Sequence, residues 1–176
     1  MPLRRLFLIL SLLLSVTVTL ITANTMSTTW TQLSQSQAGM QAMQQLQAMF
    51  IVYEMTSRER GPANGVLGDD IPADPNKQEL LRKARKTTDE AFNTLLHLLA
   101  DDKGSVYETS RQAKQQLQRA REAVDLEASK PRNQRNSAQI RGAVNQMIGV
   151  IDTLSPALLK LTNNASASFP GTTDAL

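Results

Sequence analysis

A charge-free stretch covers residues 6–53, placed directly behind Arg4 and Arg5. Its first part, residues 6–23 from Leu6 to Ala23 (LFLILSLLLSVTVTLITA), is almost wholly apolar. At about 1.5 Å per residue such a run just covers a bilayer core of roughly 30 Å. Two arginines precede it and no Lys or Arg follows until Arg58. That asymmetry predicts residues 1–5 in the cytoplasm, residues 6–23 as a transmembrane helix, and the rest outside. A cut after Ala23 would put Ile21 at the minus-three position, where a small residue belongs. The apolar run also exceeds the about 7–15 residues of a signal peptide. An uncleaved anchor in a bacterial inner membrane is the expectation.

Arg4 and Arg5 supply two of the 19 basic side chains, against 16 acidic ones, so the outer part is close to neutral. The high pI is a topology signal. No face combines basic residues with interleaved aromatics, which argues against nucleic acid. Cysteine is absent, which excludes disulfides and Cys-ligated metal sites. Aromatics are 4% of the chain; the abundance of Ala, Leu, Gln and Met favours helix over sheet.

Four helices are predicted after the anchor. The first covers residues 24–60. Gly39, Ala42, Leu46, Met49, Tyr53 and Thr56 form its apolar stripe, widened by Met40, Met43 and Phe50. Seven glutamines between Gln32 and Gln47 cover its other faces. Residues 61–75 (GPANGVLGDDIPADP) are predicted to stop it, through three glycines and three prolines. Asp74 followed by Pro75 reads as an N-cap with Pro at the first helical position.

The second helix is predicted over 75–100, with Leu81, Ala84, Thr88, Ala91, Leu95 and Leu98 inward. A turn over 101–105 follows. The third covers 105–129, with Val106, Ser110, Ala113, Leu117, Ala120 and Val124. The fourth covers 134–161, with Ile140, Val144, Met147, Ile151, Leu154, Leu158 and Leu161. Pro156 is expected to kink it, or to restart it with Ser155 as cap. Residues 162–176 read as an unstructured tail. The pattern predicts an all-α fold, an antiparallel four-helix bundle over residues 24–161 rising from the membrane helix.

No nucleophile motif, P-loop, HExxH or dinucleotide fingerprint occurs, so no enzyme activity and no cofactor are expected. The single histidine, His97, lies among leucines near a helix end and reads as structural. Asp69–Asp70 and Asp101–Asp102 read as solvated or capping acids of turns, not as a metal site. Arg60 stands out, because it continues the stripe of Leu46, Met49, Tyr53 and Thr56. A guanidinium on an inward stripe wants an anionic partner. Three readings stay open: a salt bridge to Asp89 or another acid of the second helix, a bound oxyanion, or a helix C-terminal cation favouring the dipole. Arg85 and Asp89, four apart, are expected to pair on the surface.

Glu59-Arg60-Gly61 at the end of the first helix resembles the ERG motif of nitrate- and nitrite-sensing (NIT-like) helical sensor domains. Arg85-Lys86-Thr87-Thr88-Asp89-Glu90-Ala91-Phe92 resembles the R-x-x-T-D-x-A-hydrophobic segment that follows in that family. The resemblance covers roughly residues 31–161. It implies a ligand-sensing module at the N-terminus of a bacterial receptor such as a diguanylate cyclase or chemoreceptor. The implied ligand is a small anion such as nitrate or nitrite, contacted by Arg60 with Arg58, Tyr53 and Thr56 as neighbours. Glu59, Gly61, Arg85, Thr88 and Asp89 complete the motif. A homodimer is also expected. Family members carry a second helical bundle and a further arginine, so this chain resembles the N-terminal half of such a sensor. The competing reading is an envelope scaffold that dimerises or binds a partner through its first helix.

Overall fold

The computed structural model describes the backbone of residues 3–71 and 73–167. Side chains are described at scattered positions between 19 and 34, and from 36 onward within that range. Among the described residues the chain is all-helical: α1 (Leu3–Leu67), α2 (Pro75–Leu98), α3 (Ser105–Ala128), a 3₁₀ turn (Arg132–Gln134) and α4 (Ser137–Ala167). Two compact units are present, Met1–Gln41 and Ala42–Leu176. In the first, the described side chains Met26, Trp30, Leu33 and Met40 are exposed. Most side chains of the expected anchor, residues 6–23, lie outside the described residues. Among those described, no helix is long and apolar enough to cross a membrane.

The second unit is a helical bundle. Thr88 on α2 donates to the Met55 carbonyl on α1, and Gln45 on α1 to the Leu98 carbonyl. Those two pairs set α1 and α2 in opposite directions. Lys114 on α3 reaches Asn93 while Arg85 reaches Asp125, so α2 and α3 are likewise opposed. Thr153 to Gln116 and Lys160 to Ser105 do the same for α3 and α4. Phe92, Met49, Leu95, Leu117, Met147, Leu154 and Leu161 are fully buried between the helices. Each such side chain contributes about 1.5–3 kcal/mol.

The α3 stripe is buried as expected, from Val106 to Val124. On α2 the fully buried Phe92 joins it, while Ala84 and Leu98 sit at its margin. On α4 the buried set is Ala143, Met147, Val150, Leu154, Ala157, Leu161 and Ala165: Met147, Leu154 and Leu161 are inward as expected, and the positions between them are displaced by one residue. Small alanines let α4 approach its neighbours, and Ile140, Val144 and Leu158 pack at the edge. On α1, Met40, Met43 and Phe50 are exposed rather than part of the stripe.

Two helix ends differ from expectation. α1 does not stop at Arg60. It continues through Pro62 to Leu67, because Ala63, Val66 and Leu67 are buried and their burial offsets the hydrogen bond that Pro62 removes. α4 runs on through Pro156, with Ser155 Oγ bonded back to the Ile151 carbonyl instead of capping a new start. It also takes in residues 162–167, where Ala165 packs inward; residues 168–176 lie outside the described residues.

The connection between α1 and α2 is fixed by its acids. Asp74 Oδ1 accepts from the Asn76 N–H at 2.8 Å, with Pro75 at the first position, the cap and proline expected from sequence. Asp69 accepts from Lys77 at 2.5 Å and from the Asp74 N–H at 3.0 Å. Those bonds hold its carboxyl below the usual carboxylate range. At the same end of the bundle, Arg135 donates to the carbonyls of Leu67, Ala128 and Lys130. One guanidinium thus closes the C-termini of α1 and α3, where carbonyls lack helical partners.

Candidate functional site

The charged side chain buried on α1 is a carboxylate. Glu59 is fully buried, and Arg121 of α3 is 6% exposed. Arg121 Nε donates to Glu59 Oε1 at 2.7 Å and its Nη2 to Oε2 at 2.8 Å. Its Nη1 donates to Asp89 Oδ1 at 2.7 Å, and Nη2 also reaches the Arg85 carbonyl at 3.2 Å. Burial acts to lower the Arg121 pKa, but the hydrogen bonds and charges of Glu59 and Asp89 hold it above its ordinary value. Arg85 continues the network. Its Nη1 and Nη2 grip both oxygens of Asp125 at 2.9 and 2.7 Å, and its Nε lies 3.9 Å from Glu59 Oε1. Helices α1, α2 and α3 are therefore joined through one set of opposed charges, in which Arg85 Nε alone is buried without a hydrogen-bond partner and is compensated only by the nearby Glu59 charge.

Arg85 and Asp89 do not pair with each other; each is taken by a residue of α3. Asp89 is likewise not the partner of Arg60. Thr88 Oγ1 is bonded to the carbonyls of Met55 and Ala84. The second motif segment thus bonds to α1 and α3 through Thr88, Asp89 and Arg85. Sequence reading missed Arg121, yet a signal was there: it follows Leu117 by four and precedes Val124 by three, on the inward stripe.

Arg60 is half-buried and forms no ion pair among the described residues. Its Nε is buried without a hydrogen-bond partner, and so is Oγ1 of the fully buried Thr56, one turn earlier. Tyr53, seven residues before Arg60 and so on the same side of α1, donates its hydroxyl to Ser155 of α4 at 3.2 Å. Arg58 points elsewhere, paired with Glu54 on the exposed face at 2.6 Å. The structure therefore sets Thr56 and Arg60 on one face and separates Arg58 from them. Gly61 is helical, and a Cβ there would meet nothing within 4 Å.

Beside the network, a groove of about 820 Å³ runs along α2 next to the end of α3. Arg85, Asp89 and Asp125 line it. Among the described residues no cluster of His, Asp or Glu suits a metal ion, and His97 is exposed. No family model, no curated protein and no solved structure matches this chain.

Proposed function

We propose that the chain is the membrane-anchored, extracytoplasmic ligand-sensing module of a bacterial receptor. In this reading it is an antiparallel four-helix bundle behind an N-terminal transmembrane helix, and its ligand is a small anion such as nitrate or nitrite. The observation that carries the reading is the Thr56–Arg60 face of α1. A guanidinium Nε–H and a threonine hydroxyl, one turn apart, are buried with no partner among the described residues. Leaving a buried polar group unpaired costs about 1–3 kcal/mol. A planar oxyanion has acceptors for both donors, and a guanidinium matches its geometry.

The neighbouring residue connects that face to the rest of the bundle. Glu59 is locked to Arg121 on α3, so a ligand drawing on Arg60 acts on a helix already tied to α3. Signalling then requires two arrangements of α1 with different anion affinity. Thermal unfolding of the full chain in mild detergent tests this, with nitrate, nitrite and chloride at equal ionic strength. At a concentration 100 times Kd, stability rises by about 2.7 kcal/mol. The rise is absent in Arg60→Ala and weakened in Thr56→Val. A cooperatively unfolding protein with no selective nitrate or nitrite response ends this reading.

A second reading rests on the exposed apolar side chains of α1: Trp30 at 75%, Met26 at 73% and Met40 at 62%. Large exposed apolar groups on the charge-free part of α1 mark an interaction face, which favours a homodimer or an envelope scaffold. Self-association lost on Trp30→Ser, without any anion response, supports this alternative.

A further inference from the structure

Neither Thr56 nor Arg60 lines the groove along α2. Its volume of about 820 Å³ lies in the range of roughly 300–1,000 Å³ that suits small organic ligands, far more than a nitrate ion fills. Its lining combines apolar side chains, among them Leu81 and Ile71, with charges sorted by turn. Arg82, Arg85 and Lys86 occupy one turn of α2. Asp89 and Glu90 occupy the next; Asp125 of α3 is level with the cationic turn, where it grips Arg85, and Glu79 holds Arg82, which leaves Lys86 as the loosely held cation of that turn.

We propose that this groove binds a zwitterionic small molecule with an apolar body, an α-amino acid with an apolar side chain being the simplest member of the class. The charge pattern decides between ligand types. A simple anion or cation would meet like charge within one helical turn, about 5.4 Å away. A ligand carrying both charges places each against the opposite turn.

The acidic half is oriented in advance. Asp89 Oδ1 is held by Arg121 at 2.7 Å, while its Oδ2 accepts no hydrogen bond among the described residues and the side chain is 44% exposed. An ammonium group finds its acceptor there. The cationic half is loose where it needs to be: Lys86 is 3.8 Å from Glu90, in a mostly exposed pair, and is free to turn to a carboxylate. Ile71, 49% exposed in the connection before α2, is a large apolar side chain at the groove with an apolar ligand body as its natural cover. Occupancy reaches α1 through two bonds, Asp89 to Arg121 and Arg121 to Glu59.

The test is calorimetric titration of the full chain in mild detergent with L-leucine, L-methionine and L-phenylalanine. Three analogues each remove one feature: 4-methylpentanoate lacks the ammonium, 3-methylbutylamine lacks the carboxylate, and glycine lacks the apolar body. At least one of the amino acids binds, and each analogue binds at least tenfold more weakly. Asp89→Asn weakens binding by at least tenfold. Lys86→Ala, on the exposed side of α2, weakens it by a smaller factor without touching the buried network. The proposal is overturned if none of the three amino acids binds, if 4-methylpentanoate matches L-leucine, or if both variants bind as wild type. Nitrate titrated into wild type and Arg60→Ala in the same series reports on the anion site separately, so either site can fail while the other stands.

Discussion

Arg121 and Glu59 face each other through two parallel hydrogen bonds, at 2.7 and 2.8 Å, inside the bundle. The pair joins α1 to α3, and Asp89 on α2 shares the same guanidinium. Removing one member of a buried pair leaves an uncompensated charge, which costs about 3–5 kcal/mol. Arg121→Met is expected to lose that much in denaturant unfolding. The double variant Glu59→Met with Arg121→Met loses clearly less, because no buried charge is stranded. Equal losses in the single and the double would show that the pair is not the source of the effect.

Arg135 makes a second specific prediction. It donates to carbonyls at the ends of both α1 and α3. Arg135→Ala removes charge-assisted bonds worth about 1.5–3 kcal/mol each at most, and the loss is shared because the carbonyls regain water. A net destabilisation of about 2 kcal/mol is expected. Arg135→Lys does not restore it, since an ammonium lacks the planar fork that reaches several oxygens at once.

The end of α1 is tunable. Gly61 is helical with open space at its Cβ position, so Gly61→Ala stabilises by about 0.5–1 kcal/mol. Pro62→Ala stabilises as well, by restoring the N–H that Arg58's carbonyl lacks. Both effects read out as higher melting temperatures. A loss of stability in Gly61→Ala would mean the motif glycine is needed for its backbone rather than tolerated in a helix.

Acid sensitivity follows from two carboxylates. Lys130's hydrogen bond holds Glu127 below its usual range, with the Asn136 N–H adding to it against the opposing effect of burial. Lys77 does the same for Asp69. The unfolded chain therefore takes up protons first as pH falls below about 4.5 for Glu127 and 3.8 for Asp69. Stability is fully present above that window and is lost as pH drops through the folded values. Melting temperature measured downward from about pH 6 is expected to fall with a shallower slope in Glu127→Gln.

Much of the fold was legible because apolar spacing reports directly on burial. The α3 stripe from Val106 to Val124 and the Asp74–Pro75 start of α2 are where hydrophobic period and cap chemistry place them. On α4 the apolar spacing finds Met147, Leu154 and Leu161 and falls one residue off between them. The inward positions it misses include Ala143, Ala157 and Ala165, which weigh little on a hydrophobicity pattern yet permit close approach. The end of α1 was misread because Pro62 is locally unfavourable, while burial of Val66 and Leu67 is a tertiary effect.

The candidate site was legible only in outline. Arg60 was singled out, and the structure places it with Thr56 on one face. The buried charge of the same segment, however, is Glu59, and its partner Arg121 lies 62 residues away in sequence. Pattern reading assigns charged residues outward by default. Opposite charges on two inward stripes can be matched only when the helices are brought together.

The most direct measurement of the anion account is NMR of the arginine Nε–H groups in the full chain during nitrate titration. Arg60 is the arginine on the Thr56 face with a buried, unpartnered Nε. The account predicts that the Arg60 signal shifts saturably with nitrate, is unmoved by chloride at equal ionic strength, and is missing from the spectrum of Arg60→Ala. An Arg60 signal that stays in place, or moves only as exposed Arg58 does, would contradict it.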